Sequence, residues 1–136
     1  MGYSSYSAAV AEVSIDPAGK RKVHRMVLAL NCGHAVNPGQ IAAQIEGSVA
    51  YGLTATLYGA CTVENGRMKE INFDTYEIMR LAEMPKVETV IVPTYDFWGG
   101  VGEPTISVVA PAVLNAIFAA TGKPVRSLPL KNVKLV

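Results

Sequence analysis

The sequence predicts an α+β domain in which β-hairpins pack with two long helices. Two pairs of short apolar segments are each joined by a turn that contains glycine, and two longer segments repeat their apolar residues with helical spacing. Because the strands follow one another as hairpins with long helices between them, this order favours α+β over a doubly wound parallel sheet. Residues 1–136 form a single domain or one piece of a larger domain, and they are long enough to bury a core.

The first hairpin is predicted to join a strand over residues 8–15 to a strand over residues 22–31. The turn between them, residues 16–20, contains the Asp, Pro and Gly residues that are typical of turns. In the second strand, Val23 is expected on one side and Met26 on the other, and the last residues are apolar on both sides. This strand should therefore enter the core.

The clearest helix covers residues 40–58, where apolar residues such as Ile41 and Ile45 recur at a spacing of four. Gly47 and Gly52 lie inside this helix, although each glycine costs about 1 kcal/mol relative to alanine at such a position. A helix that carries them usually has a close neighbour on that face. We therefore expect another backbone or a flat ligand to lie against it.

A second hairpin is predicted from residues 60–63 and 67–73, because the Asn65-Gly66 dipeptide between them is a strong turn signal. Further along the chain, a short strand over residues 87–92 is expected to end at Pro93. Neither segment has the length or the period of a helix.

The second long helix is predicted from about residue 104 to residue 121, with Gly122 as its stop. Pro111 should kink or restart it, since proline has no N–H to donate inside a helix. Residues 76–86 show no firm period, and residues 125–130 predict a last edge strand.

Composition limits the classes of partner. Half of the residues are hydrophobic and 17% are charged, so we expect other protein to cover part of the surface. The net charge of +1 comes from interspersed acids and bases, which excludes nucleic acid and an anionic membrane as favoured partners, and no apolar run is long enough for a membrane span. Cys32 and Cys61 match no metal-ligand spacing and are interpreted as free thiols rather than a disulfide, which favours a reducing compartment.

The most informative segment contains Gly99, Gly100 and Gly102, followed by Glu103 and Pro104. Glycines let a backbone approach a ligand closely, and Pro104 suits the first position of a helix. The main chain would then hold the Glu103 carboxyl at the rim of an element, facing an open hollow, as a general base requires. The alternative is an ordinary glycine turn whose acid stabilises the N-terminus of the helix.

A second polar cluster surrounds the start of the first helix. Gln40 and Gln44 are four residues apart and project from one face, with Asn37 before them and Glu46 after them. Amide side chains suit a heterocyclic or phosphate-bearing ligand, and free N–H groups at a helix start favour an anion. The alternative is that both glutamines are only solvated.

The histidines, the known catalytic motifs and the aromatic residues give no further candidate for a catalytic or metal site. His24 and His34 have no third ligand at a useful spacing, so the sequence predicts no metal held by side chains. It also lacks a nucleophile elbow, a phosphate-binding loop and a dinucleotide fingerprint. Phe97 and Trp98 are interpreted as core packing, with the wall of a substrate pocket as the alternative.

Several blocks of the chain follow one another in a specific order and spacing: Asn31-Cys32-Gly33, Val36-Asn37-Pro38, Gln44-Ile45-Glu46-Gly47, Gly99-Gly100-Val101-Gly102-Glu103-Pro104, Ala110-Pro111-Ala112, Asn115-Ala116-Ile117, Ala120-Thr121-Gly122 and Arg126-Ser127-Leu128-Pro129. This order resembles the C-terminal part of the molybdenum-binding subunit of the xanthine dehydrogenase and aldehyde oxidase family. It is most similar to the branch of isoquinoline 1-oxidoreductase large (beta) subunits. The resemblance extends over essentially the whole chain.

The resemblance implies an oxidoreductase that hydroxylates an aldehyde or an N-heterocycle with oxygen derived from water. It implies that Glu103 is the general base that deprotonates a hydroxyl ligand of the molybdenum, and that Gly102 before it belongs to the cofactor-binding loop. Gln44 would hydrogen-bond the molybdopterin. The dinucleotide part would contact the segment of Val36, Asn37, Pro38, Gly39 and Gln40. Because the pterin dithiolene holds the metal, no residue of this chain is expected as a metal ligand.

The resemblance also implies cofactors and partners. The cofactor would be molybdopterin with molybdenum, in the cytosine dinucleotide form, shared with an upstream segment of the subunit. The partners would be that remainder of the subunit and a [2Fe–2S] small subunit. We expect the isolated chain to bind no cofactor and to be inactive, because it would form half of a site. The alternative is a truncated, non-catalytic domain that self-associates or binds a small molecule. A cytoplasmic and a periplasmic location both stay open.

The chain departs from the family pattern at three places. Ser48 stands where a second glycine is common, so packing at that turn of the helix should differ. Asn31 replaces an aspartate. Residues 105–109 lack an extra glycine and prolines, so the start of the second helix should be altered.

Overall fold

The computed structural model describes residues 3–135 and confirms the α+β class. The elements follow in the order β1 (Tyr6–Ile15), β2 (Arg21–Asn31), α1 (Pro38–Leu57), β3 (Val63–Glu64), β4 (Arg67–Met68), β5 (Lys86–Ile91) and α2 (Ile106–Thr121), with 3-10 helices at Leu81–Glu83 and Leu130–Asn132.

The main sheet has three strands in the order β1-β2-β5. The strands β1 and β2 form the expected antiparallel hairpin, whereas β2 and β5 run parallel, from the pair Arg25 and Lys86 to the pair Leu30 and Ile91. Parallel neighbours need a crossover connection, and α1 lies within it. The sequence pattern predicts hairpins only and therefore misses this pairing.

A β-bulge at His24 changes which residues of β2 face the core. Val13 pairs with Val23 and Glu12 pairs with Arg25, so His24 is the extra residue. Strict alternation predicts Val23 and Met26 on opposite sides, but both are buried. The bulge turns the strand by one position, and from Met26 onwards alternate residues face the helices.

The helices cover one face of the sheet, and the core lies between the two layers. Ile41 and Ile45 of α1 are buried as their spacing predicts. The two helices pack directly where Gly52 meets Val109, since a Cβ on Gly52 would lie 2.6 Å from the Cβ of Val109. The predicted close neighbour of the glycine-bearing helix is therefore α2. A Cβ on Gly47 would meet no atom within 4 Å, so Gly47 faces open space.

The other face of the sheet carries an ion cluster. The guanidinium of Arg25 donates two hydrogen bonds to the carboxylate of Glu88, at 3.0 and 2.6 Å, and Lys86 lies 2.8 Å from the same carboxylate. The hydrogen bonds from Arg25, and then from Lys86, lower the pKa of Glu88 to about 2. This charged face leaves only the opposite face of the sheet for the helices.

Both helix starts differ from the prediction by two residues. The helix α1 begins at Pro38 rather than residue 40, because Asn37 caps it and Pro38 occupies the first turn. The helix α2 begins at Ile106 rather than residue 104, after a turn in which the Ile106 N–H donates to the carbonyl of Glu103 at 3.0 Å. It then continues through Pro111 to Thr121 without restarting.

Two segments hold less regular structure than predicted. The second hairpin is short, since only β3 and β4 pair, although Asn65 and Gly66 adopt the positive φ angles of the expected turn. The predicted edge strand over residues 125–130 is wrong. Val125 and Leu130 are both buried, but they lie in a loop that ends in a 3-10 helix and does not pair with the sheet.

Candidate functional site

The candidate site begins at the N-terminus of α1. The side-chain oxygen of Asn37 accepts the N–H of Gln40 at 3.1 Å, and its carbonyl accepts the N–H of Ile41 at 3.1 Å. Pro38 has no N–H, so Gly39 carries the N–H of the first turn that these bonds do not use. The helix start therefore offers a ligand fewer N–H groups than an uncapped helix, and the exposed amides of Gln40 and Gln44 lie beside it.

The loop between β2 and α1 is joined to the loop after β5. Gly33 has a φ of +77°, and a Cβ on it would overlap the carbonyl oxygen of Phe97. The Thr94 N–H donates to the carbonyl of Gly33 at 3.2 Å. The Asn31 side chain accepts the N–H of Gly33 at 3.0 Å and the hydroxyl of Thr94 at 3.3 Å. Asn31, one of the departures from the family pattern, thus helps to join two loops that are distant in sequence.

The first part of the glycine loop, Gly99 and Gly100, is anchored by backbone contacts. The Gly99 N–H donates to the carbonyl of Cys32 at 2.9 Å, and the Gly100 N–H donates to the carbonyl of Tyr3 at 2.8 Å. The hydroxyl of Ser5 donates to the carbonyl of Gly100 at 2.7 Å. A Cβ on Gly99 would overlap the Ser5 hydroxyl, so the close approach requires glycine.

These contacts bring the start of α1 and the glycine loop to one cavity of about 280 Å³, which we call the amide cavity. Four of the predicted cofactor-binding residues line it: Val36, Asn37, Gln40 and Gln44. Trp98, Gly99 and Val101 line the opposite side, and Cys32, His34 and Ile41 complete it. Pro38 and Gly39 lie in the adjoining first turn of α1 but are not part of the lining.

Glu103 and Gly102 lie outside the lining of the amide cavity, and the Glu103 side chain is exposed. Within residues 3–135 this carboxyl does not face the amide cavity, and its role as a general base stays a prediction. A hydrogen bond with Glu103, together with its negative charge, raises the pKa of the nearby Tyr3 hydroxyl above its usual value of 10.0. A Cβ on Gly102 would meet nothing within 4 Å.

A buried pair of hydroxyls joins α1 to the end of the glycine loop. The oxygens of Ser48 and Thr105 are 2.7 Å apart, and Ser48 also donates to the carbonyl of Ile45 at 2.7 Å. Both side chains are buried, at 3% and 0% exposure. The Ser48 hydroxyl therefore supplies a contact at this turn that a glycine could not supply.

The aromatic residues beside the loop do not pack in the core. Phe97 is 86% exposed and Trp98 is 62% exposed, so their interpretation as core packing is wrong. Trp98 instead forms part of the wall of the amide cavity. His34 lies against Tyr95, with ring centroids 6.0 Å apart.

A second cleft, of about 450 Å³, lies at the other end of β2. Its lining includes Arg21, Leu57 and Tyr58, and burial, followed by a hydrogen bond with Glu83, raises the pKa of Tyr58 to about 12. It contains none of the residues singled out in the sequence as site residues.

Neither a metal cluster nor a membrane-spanning helix is present in the described part of the chain. Over residues 3–135, no group of three His, Cys, Asp or Glu side chains is arranged to hold a metal ion. None of the helices there is both long and apolar enough to cross a membrane. Both cysteines have free thiols, with Cys32 buried and Cys61 exposed.

Sequence reasoning did not find the contributions of Cys32, His34 and Val101 to the cavity lining, nor the bond between Ser48 and Thr105. The only available signal was the presence of Ser48 at a position where glycine is common. The cavity residues share no spacing, because they come together through the contacts of Gly33 and Gly99 with distant backbone.

Comparison with known proteins supports one family. Residues 1–85 match the molybdopterin cofactor-binding domain family. The chain is 31% identical over 131 residues to a protein from Gluconacetobacter polyoxogenes named membrane-bound aldehyde dehydrogenase [pyrroloquinoline-quinone]. It is 30% identical over 136 residues to the isoquinoline 1-oxidoreductase subunit beta of Brevundimonas diminuta. Each alignment covers 96% of this chain and 17% of the relative, so the chain spans about a sixth of the relatives' length.

The fold is also similar to that of a solved structure. The aldehyde oxidoreductase from Desulfovibrio gigas matches 93% of this chain with a TM-score of 0.79 and 26% identity. The matched part is 15% of that protein. The architecture described above is therefore similar to one part of that much longer protein.

Proposed function

The chain belongs to the molybdopterin cofactor-binding domain family, and from that premise we propose that it forms the C-terminal part of a molybdenum hydroxylase. This oxidoreductase would hydroxylate an aldehyde or an N-heterocycle with oxygen derived from water. The observation that supports the proposal is the amide cavity. Residues of the α1 start, such as Gln40 and Gln44, share one concave surface there with Gly99 and Val101 of the glycine loop.

The lining of the amide cavity fits a pterin. Its polar groups include the neutral amides of Asn37, Gln40 and Gln44, and it contains no carboxylate, lysine or arginine. Amides present donors and acceptors together, which matches the edge of a neutral heterocycle. Gln44 would hydrogen-bond the pterin, and the segment from Val36 to Gln40 would contact the dinucleotide, with the Gly39 N–H available to a phosphate. The cytosine dinucleotide form is proposed from the family resemblance.

Glu103 would act as the general base. When bound, the cofactor supplies the redox chemistry and takes two electrons from the substrate carbon. The Glu103 carboxylate would take up the proton released from the water-derived oxygen as that oxygen is transferred. The exposure of Glu103 and the open space at Gly102 support this role, because they leave room beside the carboxylate for a bulky planar group.

Exposed apolar side chains are available for contact with a partner. Leu81 is 92% exposed and Phe97 is 86% exposed. We propose that the remainder of the molybdenum-binding subunit covers these side chains and encloses Glu103, and that a [2Fe–2S] subunit accepts the electrons. The isolated chain would then be inactive, because water reaches the base and half of the site is missing.

The first test is Glu103→Gln in the enzyme reconstituted from this chain and the remainder of the subunit. We expect the molybdenum content to be unchanged and kcat to fall by about 10²- to 10⁴-fold, because the amide cannot accept the proton. Glu46→Gln is the matched control, since it removes an exposed carboxylate of α1 that lies outside the amide cavity. Normal turnover of the Glu103 variant would remove Glu103 from the mechanism.

The second test is Gln44→Ala in the same enzyme. We expect its molybdenum and pterin contents to fall by about 5- to 20-fold, as loss of one or two hydrogen bonds to a ligand implies. Asn115→Ala is the control, because it removes an exposed amide from α2 at a position outside the cavity. Unchanged cofactor content in the Gln44 variant would contradict its assignment.

The alternative function, a non-catalytic domain that self-associates or binds a small molecule, is supported by the same exposed apolar side chains. Sedimentation velocity and molybdenum analysis separate the two. A stable dimer that binds no molybdenum, even when co-expressed with the upstream segment of a relative's subunit, would favour the non-catalytic domain. A monomer that acquires molybdenum on co-expression would favour the enzyme.

A further inference from the structure

We infer that the hydroxyl pair of Ser48 and Thr105 positions Glu103 relative to the cofactor-binding turn of α1. This inference rests on the proposed function, because it assigns a role to a contact within the same site. The pair is a bond between two elements that carry the two proposed activities: cofactor binding by Gln44 and proton transfer by Glu103.

The direction of the bond follows from the number of protons. A hydroxyl carries a single proton, and that of Ser48 is directed to the carbonyl of Ile45 at 2.7 Å. Thr105 is then the donor to Ser48, at 2.7 Å. The result is a chain of two hydrogen bonds from the end of the glycine loop to the backbone of α1. Because both side chains are buried, no water competes for this chain.

Ser48 lies close in sequence to Gln44, and Thr105 lies close in sequence to Glu103. Ser48 lies one helical turn after Gln44, on the same face of α1. Thr105 lies two residues after Glu103, immediately before α2 begins at Ile106. The bond between these hydroxyls therefore links the turn of α1 that follows Gln44 to the backbone two residues after Glu103.

The backbone around Glu103 depends on contacts downstream of it. The N–H groups of Gly99 and Gly100 fix the beginning of the loop, but at Gly102 the surroundings are open. On the other side, the carbonyl of Pro104 accepts the hydroxyls of Ser7 at 3.0 Å and Ser107 at 2.8 Å. These two bonds tie the loop to β1 and to α2, and the bond of Thr105 is the contact that ties it to the cofactor-binding helix.

The test is amide hydrogen exchange of the full chain, without cofactor, in Thr105→Val. We expect the amide of Ile106, whose N–H donates to the carbonyl of Glu103 at 3.0 Å, to exchange about five- to tenfold faster, because one buried hydrogen bond that restrains this turn is lost. Thr105→Ser should restore the wild-type rates, since it keeps the hydroxyl. Ser48→Ala removes the other partner with little change in volume and should reproduce the effect if the valine variant does not fold.

Thr56→Val is the matched control. Thr56 is also completely buried, and its hydroxyl donates to the carbonyl of Gly52 at 2.6 Å, within α1 and away from the loop. We expect this variant to leave exchange of the Ile106 amide unchanged. Equal exchange of this amide in the Thr105, Ser48 and Thr56 variants would overturn the inference.

A kinetic measurement separates this inference from the proposed function. In the reconstituted enzyme, Thr105→Val should lower kcat about tenfold with KM and molybdenum content within twofold of the wild type, and Thr105→Ser should restore kcat. Faster exchange in an enzyme whose Glu103→Gln variant turns over normally would refute the general base and leave the structural contact intact. Unchanged exchange together with an inactive Glu103→Gln variant would refute the positioning pair alone.

Discussion

The two halves of the glycine loop differ in what fills the space beside them. At Gly99 and Gly100 the residues just before β1, such as Ser5, occupy the volume that a side chain would need. At Gly102 a Cβ would meet no atom within 4 Å. The same residue type therefore serves two purposes within four positions. The first half is part of the fold of this chain, and the second half, with Glu103, is open to whatever covers it.

The helix α1 repeats the contrast. Gly52 is packed against Val109 of α2, and Gly47 faces open space on the other side of the helix. A glycine whose Cβ space is filled is explained by the chain itself. Gly47 lines a cavity together with Met79 and Leu81 of the same chain, so no contact of the described part of this chain explains its cost to helix stability.

The largest expected effect that tests this contrast is that of Gly99→Ala. The new methyl group would collide with the Ser5 hydroxyl and with the backbone of Ser4, so the free energy of unfolding should fall by about 3 kcal/mol. Gly102→Ala is the control and should change it by less than about 0.5 kcal/mol. Urea denaturation measures both. Equal losses in the two variants would remove the distinction between the halves of the loop.

A smaller effect is expected at α1. Gly52→Ala should destabilise the chain by about 1 to 2 kcal/mol, because Val109 must move away from the new methyl group. Gly47→Ala should instead stabilise it by about 0.5 to 1 kcal/mol through helix propensity. Thermal unfolding of the isolated chain reports both signs. Destabilisation by Gly47→Ala would show that this face of α1 is not free.

The smallest effect concerns the open half of the loop. Since Glu103 raises the pKa of Tyr3, Glu103→Gln should move the titration of the Tyr3 hydroxyl back towards 10.0, which tyrosine-labelled NMR measures. Because the pKa of Tyr3 is higher in the folded chain than in the unfolded chain, this contact can stabilise the fold only while the hydroxyl is protonated. Its contribution to the free energy of unfolding is present in full below pH 10.0 and is lost as the pH rises through the raised pKa. An unchanged Tyr3 titration would mean that Glu103 does not contact Tyr3 in solution.

Local patterns predicted the elements well, because their signals lie within each element. The spacing of Ile41 and Ile45 predicted α1, and the Asn65-Gly66 dipeptide predicted the turn between β3 and β4. The parallel pairing of β2 with β5 depends on contacts between residues as far apart as Arg25 and Lys86, and no local pattern reports it.

The errors have specific causes. Strict alternation failed at Val23 because one inserted residue, His24, reverses the side on which each residue lies. The apolar residues near Val125 resembled a strand but pack individually in a loop. For the site, the family resemblance and the helix start identified four residues of the cavity lining. The exposure of Glu103 was not predictable from its loop, because burial of a carboxylate depends on which other groups surround it.

The parallel pair of β2 and β5 bears on the order of folding. The β1–β2 hairpin joins segments that are adjacent in sequence, so it can form as soon as its turn closes. The strand β5 can pair with β2 only after the long crossover connection through α1 has formed. The amide cavity needs the chain on both sides of β5, so we expect it to mature late, after the hairpin and α1 are in contact. The two walls of the amide cavity would then meet only near the end of folding.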